Sequence, residues 1–144
     1  MKNNAYKATT IHWGKSQADI CNLLQKNGIS DTRFTVTATC TICEFNYPQK
    51  QGIASVRISV PIPESRDTEK MKNQLHRALF YYLKTKFEAL NFGLMEFMQE
   101  FLPYLVIKNS DGKSMTMYEA IAPQYKESLI TGQQGAIAML PQGR

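Results

Sequence analysis

Apolar and polar residues alternate along two neighbouring segments of the chain, residues 33–47 and 53–62. One parity of each segment is apolar and the other carries Thr, Ser and Arg, which is the period-two pattern of a half-buried strand. The apolar positions are Phe34, Val36, Ala38, Cys40, Ile42, Ala54, Val56, Ile58, Val60 and Ile62. Because residues 48–52 form a Pro- and Gly-containing turn between the segments, the pattern predicts an antiparallel hairpin with one apolar face.

Helical periodicity replaces this alternation in four other parts of the chain. The predicted helices cover about residues 16–27, 69–91, 94–102 and 123–132. Asp67 or Thr68 is expected to cap the longest helix, and Gly93 permits the break after it. Pro123 is expected in the first turn of the last helix, where a missing N–H costs little.

Two further strand signals complete the order. Residues 9–13 resemble a short strand, and residues 104–117 resemble a hairpin that turns at Ser110-Asp111-Gly112. The predicted order is β-α-β-β-α-α-β-β-α, an α+β fold in which an antiparallel sheet carries helices packed on one face. We expect one domain over residues 1–144, with 133–144 as a tail that is either disordered or docked in an extended form.

A helical wheel separates the aromatic and basic residues of the segment His76 to Leu90 onto two faces. Its phenylalanines and leucines fall on a wide apolar face, and Arg77, Tyr81 and Lys84 fall on the opposite, polar stripe. Lys86 is the exception, because it lies in the middle of the apolar face. Either its ammonium reaches past the edge of the core to water, or it is a paired cation at a cleft.

Charge is distributed unevenly along the chain. The net charge is +5, but residues 1–87 hold 13 Lys and Arg against 6 Asp and Glu, whereas residues 88–144 hold 4 against 6. The N-terminal surplus of seven positive charges is compatible with a phosphate-bearing partner, and it also serves solubility alone.

The polar face of the predicted hairpin is a candidate nucleic-acid surface. Arg33, Arg57, Phe45, Tyr47 and Lys50 are expected on or near it, and single-strand binders combine such cations with rings on which bases stack. A solvated sheet face would favour the same β-branched polar residues, so this alternative stays open. The candidate nucleic-acid-binding residues are Arg33, Tyr47, Lys50, Arg57, Arg77, Tyr81, Lys84 and Lys86.

The segment from Phe92 to Val106 is dense in Phe, Met and Leu. These residues either fill the core at a helix junction or form a surface for a protein partner or for self-association. The candidate interface residues are Phe97, Met98 and Phe101, with Leu140 in the tail.

Signals for chemistry are weak. Cys40 and Cys43 form a lone C-x-x-C, whereas a zinc site needs four ligands, and no Gly-rich phosphate loop, G-x-S-x-G or H-E-x-x-H is present. We therefore expect no metal, no cofactor and no enzymatic activity. The chain has no run of about 18 apolar residues and no signal peptide, which predicts a protein of the cytoplasm without a membrane partner.

Two stretches resemble a family of small proteins of tailed phages and prophages. They are KSQADICNLLQKNGI, at residues 15–29, and ALFYYLKTKFEALNFGLMEFMQEFLPYLVIKNSDGKSMTMYEAIAP, at residues 78–123, with the strand VRISVPIP between them. The matching residues are Lys84, Lys86, Glu88, Phe97, Phe101, Leu102, Asp111 and Gly112. The resemblance implies an accessory role inside an infected or lysogenic bacterial host, and it carries over no activity.

The leading hypothesis from the sequence is a non-enzymatic, phage-type accessory protein that binds DNA or RNA through a basic surface. The alternative is a protein-protein inhibitor, such as a counter-defence (anti-CRISPR-like) protein that acts on a host complex. The basic surplus of residues 1–87 favours the first hypothesis, and the Phe- and Met-rich segment favours the second.

Overall fold

The computed structural model describes residues 5–132. The described chain contains four α-helices, a short 3₁₀ turn and five strands. In chain order they are α1 (Trp13–Lys26), β1 (Thr32–Val36), β2 (Cys40–Gln49), β3 (Gly52–Pro61), α2 (Thr68–Phe92), α3 (Phe97–Phe101), the 3₁₀ turn Leu102–Tyr104, β4 (Val106–Lys108), β5 (Ser114–Thr116) and α4 (Met117–Thr131). The predicted tail at 133–144, with Leu140, lies outside the described residues.

The predicted α+β class is confirmed. Strands β1, β2 and β3 form an antiparallel sheet in that order, and β4 and β5 form a separate antiparallel hairpin. A single bridge between Val56 and Leu105 joins the hairpin to β3. Helices α1 and α2 pack against one face of the three-stranded sheet, and the core lies between these two layers.

The first predicted strand is wrong, because residues 9–12 lead directly into α1. His12 is the N-cap: its Nδ1 accepts a hydrogen bond from the Gly14 N–H at 3.0 Å. The Trp13 N–H donates to Asn73 Oδ1 at 2.9 Å, which ties the start of α1 to α2. These contacts satisfy the first N–H groups of the helix three residues before the predicted start at Ser16.

The long predicted strand 33–47 is instead two strands. Residues 37–40 form a tight turn in which Thr37 Oγ1 accepts a hydrogen bond from the Cys40 N–H at 3.0 Å and the Thr37 N–H donates to the Cys40 carbonyl at 2.9 Å. The turn reverses the chain and changes which parity faces the core. Thr41, Cys43 and Phe45 therefore point inward on β2. A single strand over residues 33–47 would have placed these odd-numbered positions on the polar face.

The core is one cluster that draws on both layers. Its members are Ile20 and Leu24 of α1, Ile29, Cys43, Phe45, Val56, Ile58, Leu79, Leu83, Phe87 and Phe101. Phe45 contacts Phe87 in a tilted arrangement and Phe101 edge-on, with ring centroids 6.3 and 5.9 Å apart. Burial of this apolar area is the main stabilising contribution, at roughly 1.5–3 kcal/mol for each large side chain.

Helix ends follow the local capping chemistry. Asp67 caps α2 through a hydrogen bond from the Lys70 N–H, as predicted, and Gly93 ends the helix in the left-handed conformation at φ 76°. Helix α4 begins at Met117 because Thr116 and Glu119 form a reciprocal capping box. Pro123 therefore lies inside α4 and not in its first turn as expected.

No helix within residues 5–132 is both long and apolar enough to cross a membrane.

Candidate nucleic-acid interface

The outer face of the three-stranded sheet carries a charge triad. Arg33, Glu44 and Arg57 occupy paired positions on β1, β2 and β3. Arg33 Nη2 donates to Glu44 Oε1 at 2.9 Å, and Arg57 Nε donates to Glu44 Oε2 at 3.2 Å. Partial burial opposes ionisation of Glu44, but these hydrogen bonds outweigh it and hold the pKa of Glu44 below its ordinary value. Arg33 and Arg57, the two arginines predicted to bind nucleic acid on this face, therefore share the carboxylate of Glu44.

A polar cleft of about 630 Å³ opens over this triad, between the sheet and the β4–β5 hairpin. Asp31, Asn46 and Ser55 line it together with the triad. The charged residues that line the cleft are two arginines and two acids, Arg33, Arg57, Asp31 and Glu44. The cleft therefore has no net charge and little attraction for a polyanion.

Tyr47 and Lys50 do not join this face as predicted. Tyr47 lies on the core side of β2 and stacks on Phe97 of α3, with centroids 3.9 Å apart and an angle of 8° between the rings. Lys50 is exposed in the β2–β3 turn. The expectation that Tyr47 offers a ring to a base is wrong. The alternate residues of β2 to which Tyr47 belongs face the core, whereas the sequence pattern placed them on the polar face.

Arg77 is not part of a solvated stripe. Arg77 is 7% exposed, and its Nη2 donates to Asp19 Oδ2 of α1 at 2.9 Å. Lys15 pairs with the other oxygen of the same carboxylate. Arg77 Cζ lies 4.6 Å from the ring centroid of Phe80. Helix α1 covers this part of α2, which a wheel drawn for α2 alone cannot reveal.

Tyr81 does lie on the surface, and a second tyrosine joins it. Tyr6, before α1, stacks on Tyr81 with centroids 5.3 Å apart and 4° between the rings, and the two residues are 39% and 40% exposed. Arg77 Cζ and Lys84 Nζ lie 5.6 and 5.9 Å from the Tyr81 centroid. We call Tyr6, Lys7, Arg77, Tyr81 and Lys84 the tyrosine patch.

Shallow hollows flank the tyrosine patch on both sides. One is lined by Tyr6, Lys7, Thr9, Ile11 and Arg77, and the other by Tyr6, Tyr82, Thr85, Lys86 and Glu100. Within residues 5–132, no carboxylate lies within 4 Å of the ammonium of Lys7 or Lys84. Tyr6 was not predictable from the sequence, because a tyrosine outside any periodic element gives no signal of where its ring will lie.

Lys86 is a paired cation and not a solvated one. Its residue is 8% exposed, and its Nζ donates to the carbonyl oxygen of Glu100 at 2.9 Å and to the Glu100 carboxylate at 3.0 Å. Three rings surround the ammonium, those of Tyr82 at 4.6 Å, Phe101 at 5.4 Å and Tyr104 at 5.5 Å. This arrangement joins α2 to α3 and leaves Lys86 little capacity to bind phosphate.

His76 is fully buried between the two helices. Its Nδ1 lies 2.7 Å from the Lys72 carbonyl oxygen, which can only accept, so Nδ1 carries the proton and Nε2 accepts from the Gln17 amide at 3.3 Å. Burial lowers the pKa of His76 below its ordinary value, opposed in part by the hydrogen bond to Lys72. The ring of Trp13 lies 5.5 Å away.

The predicted partner residues separate in the structure. Phe101 is fully buried in the core cluster and Phe97 is packed against it, whereas Met98 is 55% exposed. The exposed apolar side chains at the α2–α3 junction are Phe92, Leu94, Met95 and Met98. The expectation of Phe97 and Phe101 as an interface is wrong, because α3 turns both rings towards Phe45 and Tyr47.

The cysteines are free thiols. Cys43 is buried, and desolvation, with contributions from Cys21 and Glu44, raises its pKa to about 12. Among the residues that the structure describes, no three His, Cys, Asp or Glu side chains lie close enough to hold a metal ion.

Comparisons with protein-family models, with curated proteins and with solved structures find no match to this chain. The resemblance to phage proteins therefore stays a prediction.

Proposed function

We propose that the protein is a non-enzymatic accessory protein that binds nucleic acid, DNA or RNA, through the tyrosine patch. The observation that carries the proposal is the parallel Tyr6–Tyr81 stack, half exposed, with Lys84 and Arg77 beside the Tyr81 ring. Proteins that bind single strands place aromatic rings for base stacking next to cations that follow the phosphates. Tyrosines on a surface already stacked in parallel offer a preformed platform for an unpaired base.

The local charge supports the same proposal. Five cations lie in or directly beside the patch, Lys7, Lys15, Arg77, Lys84 and Lys86, and the two carboxylates that contact them are Asp19 and Glu100. Five against two leaves a surplus of three charges, and Glu88, one turn beyond Lys84, reduces it to two. This surplus is a large share of the net charge of +5.

The proposal is narrower than the sequence suggested. Arg33 and Arg57 share Glu44, Arg77 is bonded to Asp19, and Lys86 is bonded to Glu100. Phosphate contacts would fall mainly to Lys7 and Lys84. With so few phosphate contacts, binding is expected to be weak, sequence-tolerant and only moderately sensitive to salt.

Fluorescence anisotropy tests the proposal. Labelled single-stranded and double-stranded oligonucleotides are titrated with the protein at about 50 mM and about 200 mM salt. The expected result is micromolar binding that prefers the single strand and weakens several-fold at the higher salt. Flat titrations at the lower salt would overturn it. Equal affinity for a labelled polyanion that carries no nucleobases would also overturn it.

A protein partner is the second candidate, in the form of the counter-defence inhibitor. The observation that favours it is the exposed apolar group at the α2–α3 junction, where Phe92 is 83% and Leu94 72% exposed. Co-purification from bacterial lysate with Leu94→Asp, against Ile53→Asp as a matched exposed apolar control, tests it. Capture that survives Leu94→Asp as well as it survives Ile53→Asp would rule this surface out.

A further inference from the structure

Helix α4 presents an apolar face that the other described residues leave about half exposed. Tyr118, Ala122, Tyr125 and Leu129 lie at spacings of four, three and four residues, which places them in one row along the helix. The three large members are 59%, 54% and 50% exposed, and none of the residues of α4 is buried. The helix contacts the rest of the described chain through its first turn, where the Met117 N–H donates to the Leu105 carbonyl, and beside the 3₁₀ turn Leu102–Tyr104.

We propose that this face is an interface with a second copy of the same chain, in which two α4 helices pack antiparallel across a two-fold axis. We call the row Tyr118, Ala122, Tyr125 and Leu129 the α4 seam. A two-fold axis near residues 123 and 124 places Tyr118 of one copy against Leu129 of the other, and Ala122 against Tyr125. Every layer then pairs a large ring with a smaller side chain, so that the small Ala122 accommodates the partner's Tyr125.

Charge on the flank of the seam is complementary in the same register. Glu119 and Lys126 lie on the same side of the α4 seam, one helical repeat of seven apart. The axis that aligns the seam also brings Glu119 of each copy close to Lys126 of the other. Two opposite-charge pairs therefore form at once in the antiparallel register.

The available area sets the expected strength. Leu102 and Pro103 of the 3₁₀ turn form the wall of a groove of about 330 Å³ beside α4, with Tyr118, Ile121 and Tyr125 on the other side. The exposed parts of the seam and of this wall amount to on the order of 500 Å² per copy, since one aromatic side chain carries about 150–250 Å². About 1,000 Å² in total is at the lower limit of specific interfaces, so the dimer is expected at micromolar concentrations.

Sedimentation equilibrium of the full chain from about 1 μM to about 300 μM tests the proposal. The expected result is a monomer–dimer equilibrium within this range. Tyr125→Glu is expected to raise the dissociation constant at least about tenfold, because it removes a central ring and buries a charge. Ile130→Glu is the matched control, since Ile130 is on the same helix, 86% exposed and off the α4 seam, and it should leave the equilibrium unchanged. Circular dichroism of both variants separates loss of association from loss of folding.

A pair of charge variants tests the antiparallel register itself. Lys126→Glu and Glu119→Lys each place like charges across both ends of the interface, so each variant alone should associate more weakly than the unchanged chain. An equimolar mixture restores opposite charges at both ends and should dimerise better than either variant. The capping box on Thr116 is lost in Glu119→Lys, but a weakened helix would make the mixture worse and not better.

Three results would overturn the proposal. A protein that remains monomeric at every concentration would overturn the proposal, and this holds whether residues 133–144 or another protein cover the α4 seam. Equal effects of Tyr125→Glu and Ile130→Glu would place the contact elsewhere. A mixture that associates no better than its components would contradict the antiparallel register.

Discussion

Lys86 of α2 and Glu100 of α3 form a buried pair in which one ammonium bonds two oxygens of the same residue, the carbonyl at 2.9 Å and the carboxylate at 3.0 Å. Their side chains are 10% and 18% exposed. The pair connects the long helix to the short α3 segment that carries Phe101 into the core. Lys86 therefore joins α2 to α3 and is not a free cation beside the tyrosine patch.

Glu100→Gln should destabilise the protein by about 2–4 kcal/mol, because it leaves a buried ammonium with no opposite charge. Lys86→Met should cost less, since Met keeps the contacts with the three surrounding rings and Glu100 can turn towards water. The double variant should therefore be more stable than Glu100→Gln alone. Urea unfolding of the four proteins measures this, and a double variant that is no more stable than Glu100→Gln would contradict it.

Stability should decrease in mild acid because of His76. Its pKa is lowered in the folded protein, so the unfolded chain binds the proton more readily below its own pKa of about 6.5. The contribution to stability is thus complete above about pH 6.5 and is lost as the pH falls from there through the folded pKa. Urea midpoints at several pH values between 7.5 and 5, read by fluorescence of the single Trp13, measure the loss.

The control for this prediction uses the other histidine. His76→Gln should flatten the pH dependence, whereas His12→Asn should preserve it, because Asn is a good N-cap and His12 is exposed. If His12→Asn removes the dependence and His76→Gln does not, the assignment to His76 is wrong.

Cys43 should resist thiol reagents in the folded protein. Burial raises its pKa to about 12, so almost no thiolate is present at neutral pH and reagents cannot reach the sulfur. Cys40→Ser should reduce the number of thiols labelled in the native protein, and Cys43→Ala should leave that number unchanged. All three thiols should react in urea. Rapid native labelling of Cys43, identified by mass spectrometry, would contradict the inward register of β2.

Elements with strong local signals were predictable from the sequence. The long helix, its Asp67 cap and its Gly93 end follow from periodicity and capping chemistry, and β3 shows the predicted inward positions Val56 and Ile58. The turn at residues 37–40 was not predictable in the same way, because Thr37-Ala38-Thr39-Cys40 contains no Gly, Pro or Asn. Its formation depends on the Thr37 side chain, and missing it inverted the expected facing of β2.

The candidate site was only partly predictable, because its charges are set by tertiary contacts. Tyr81 and Lys84 fall on the predicted solvent side of α2, and this follows from the helical wheel. Arg77 occupies the same side, yet α1 covers it and supplies Asp19 as its partner. Tyr6 lies 75 residues before Tyr81 in the chain, and no local pattern connects the two rings.

One comparison tests nucleic-acid binding at the tyrosine patch, that of Lys84→Glu with Lys108→Glu in oligonucleotide anisotropy. Both lysines are exposed and both substitutions change the total charge equally, so any effect of net charge alone is the same in the two proteins. Lys84→Glu should weaken single-strand binding at least about fivefold and reduce its salt dependence, while Lys108→Glu should change it by less than about twofold. Equal weakening by the two substitutions, or none by either, would contradict nucleic-acid binding at the tyrosine patch.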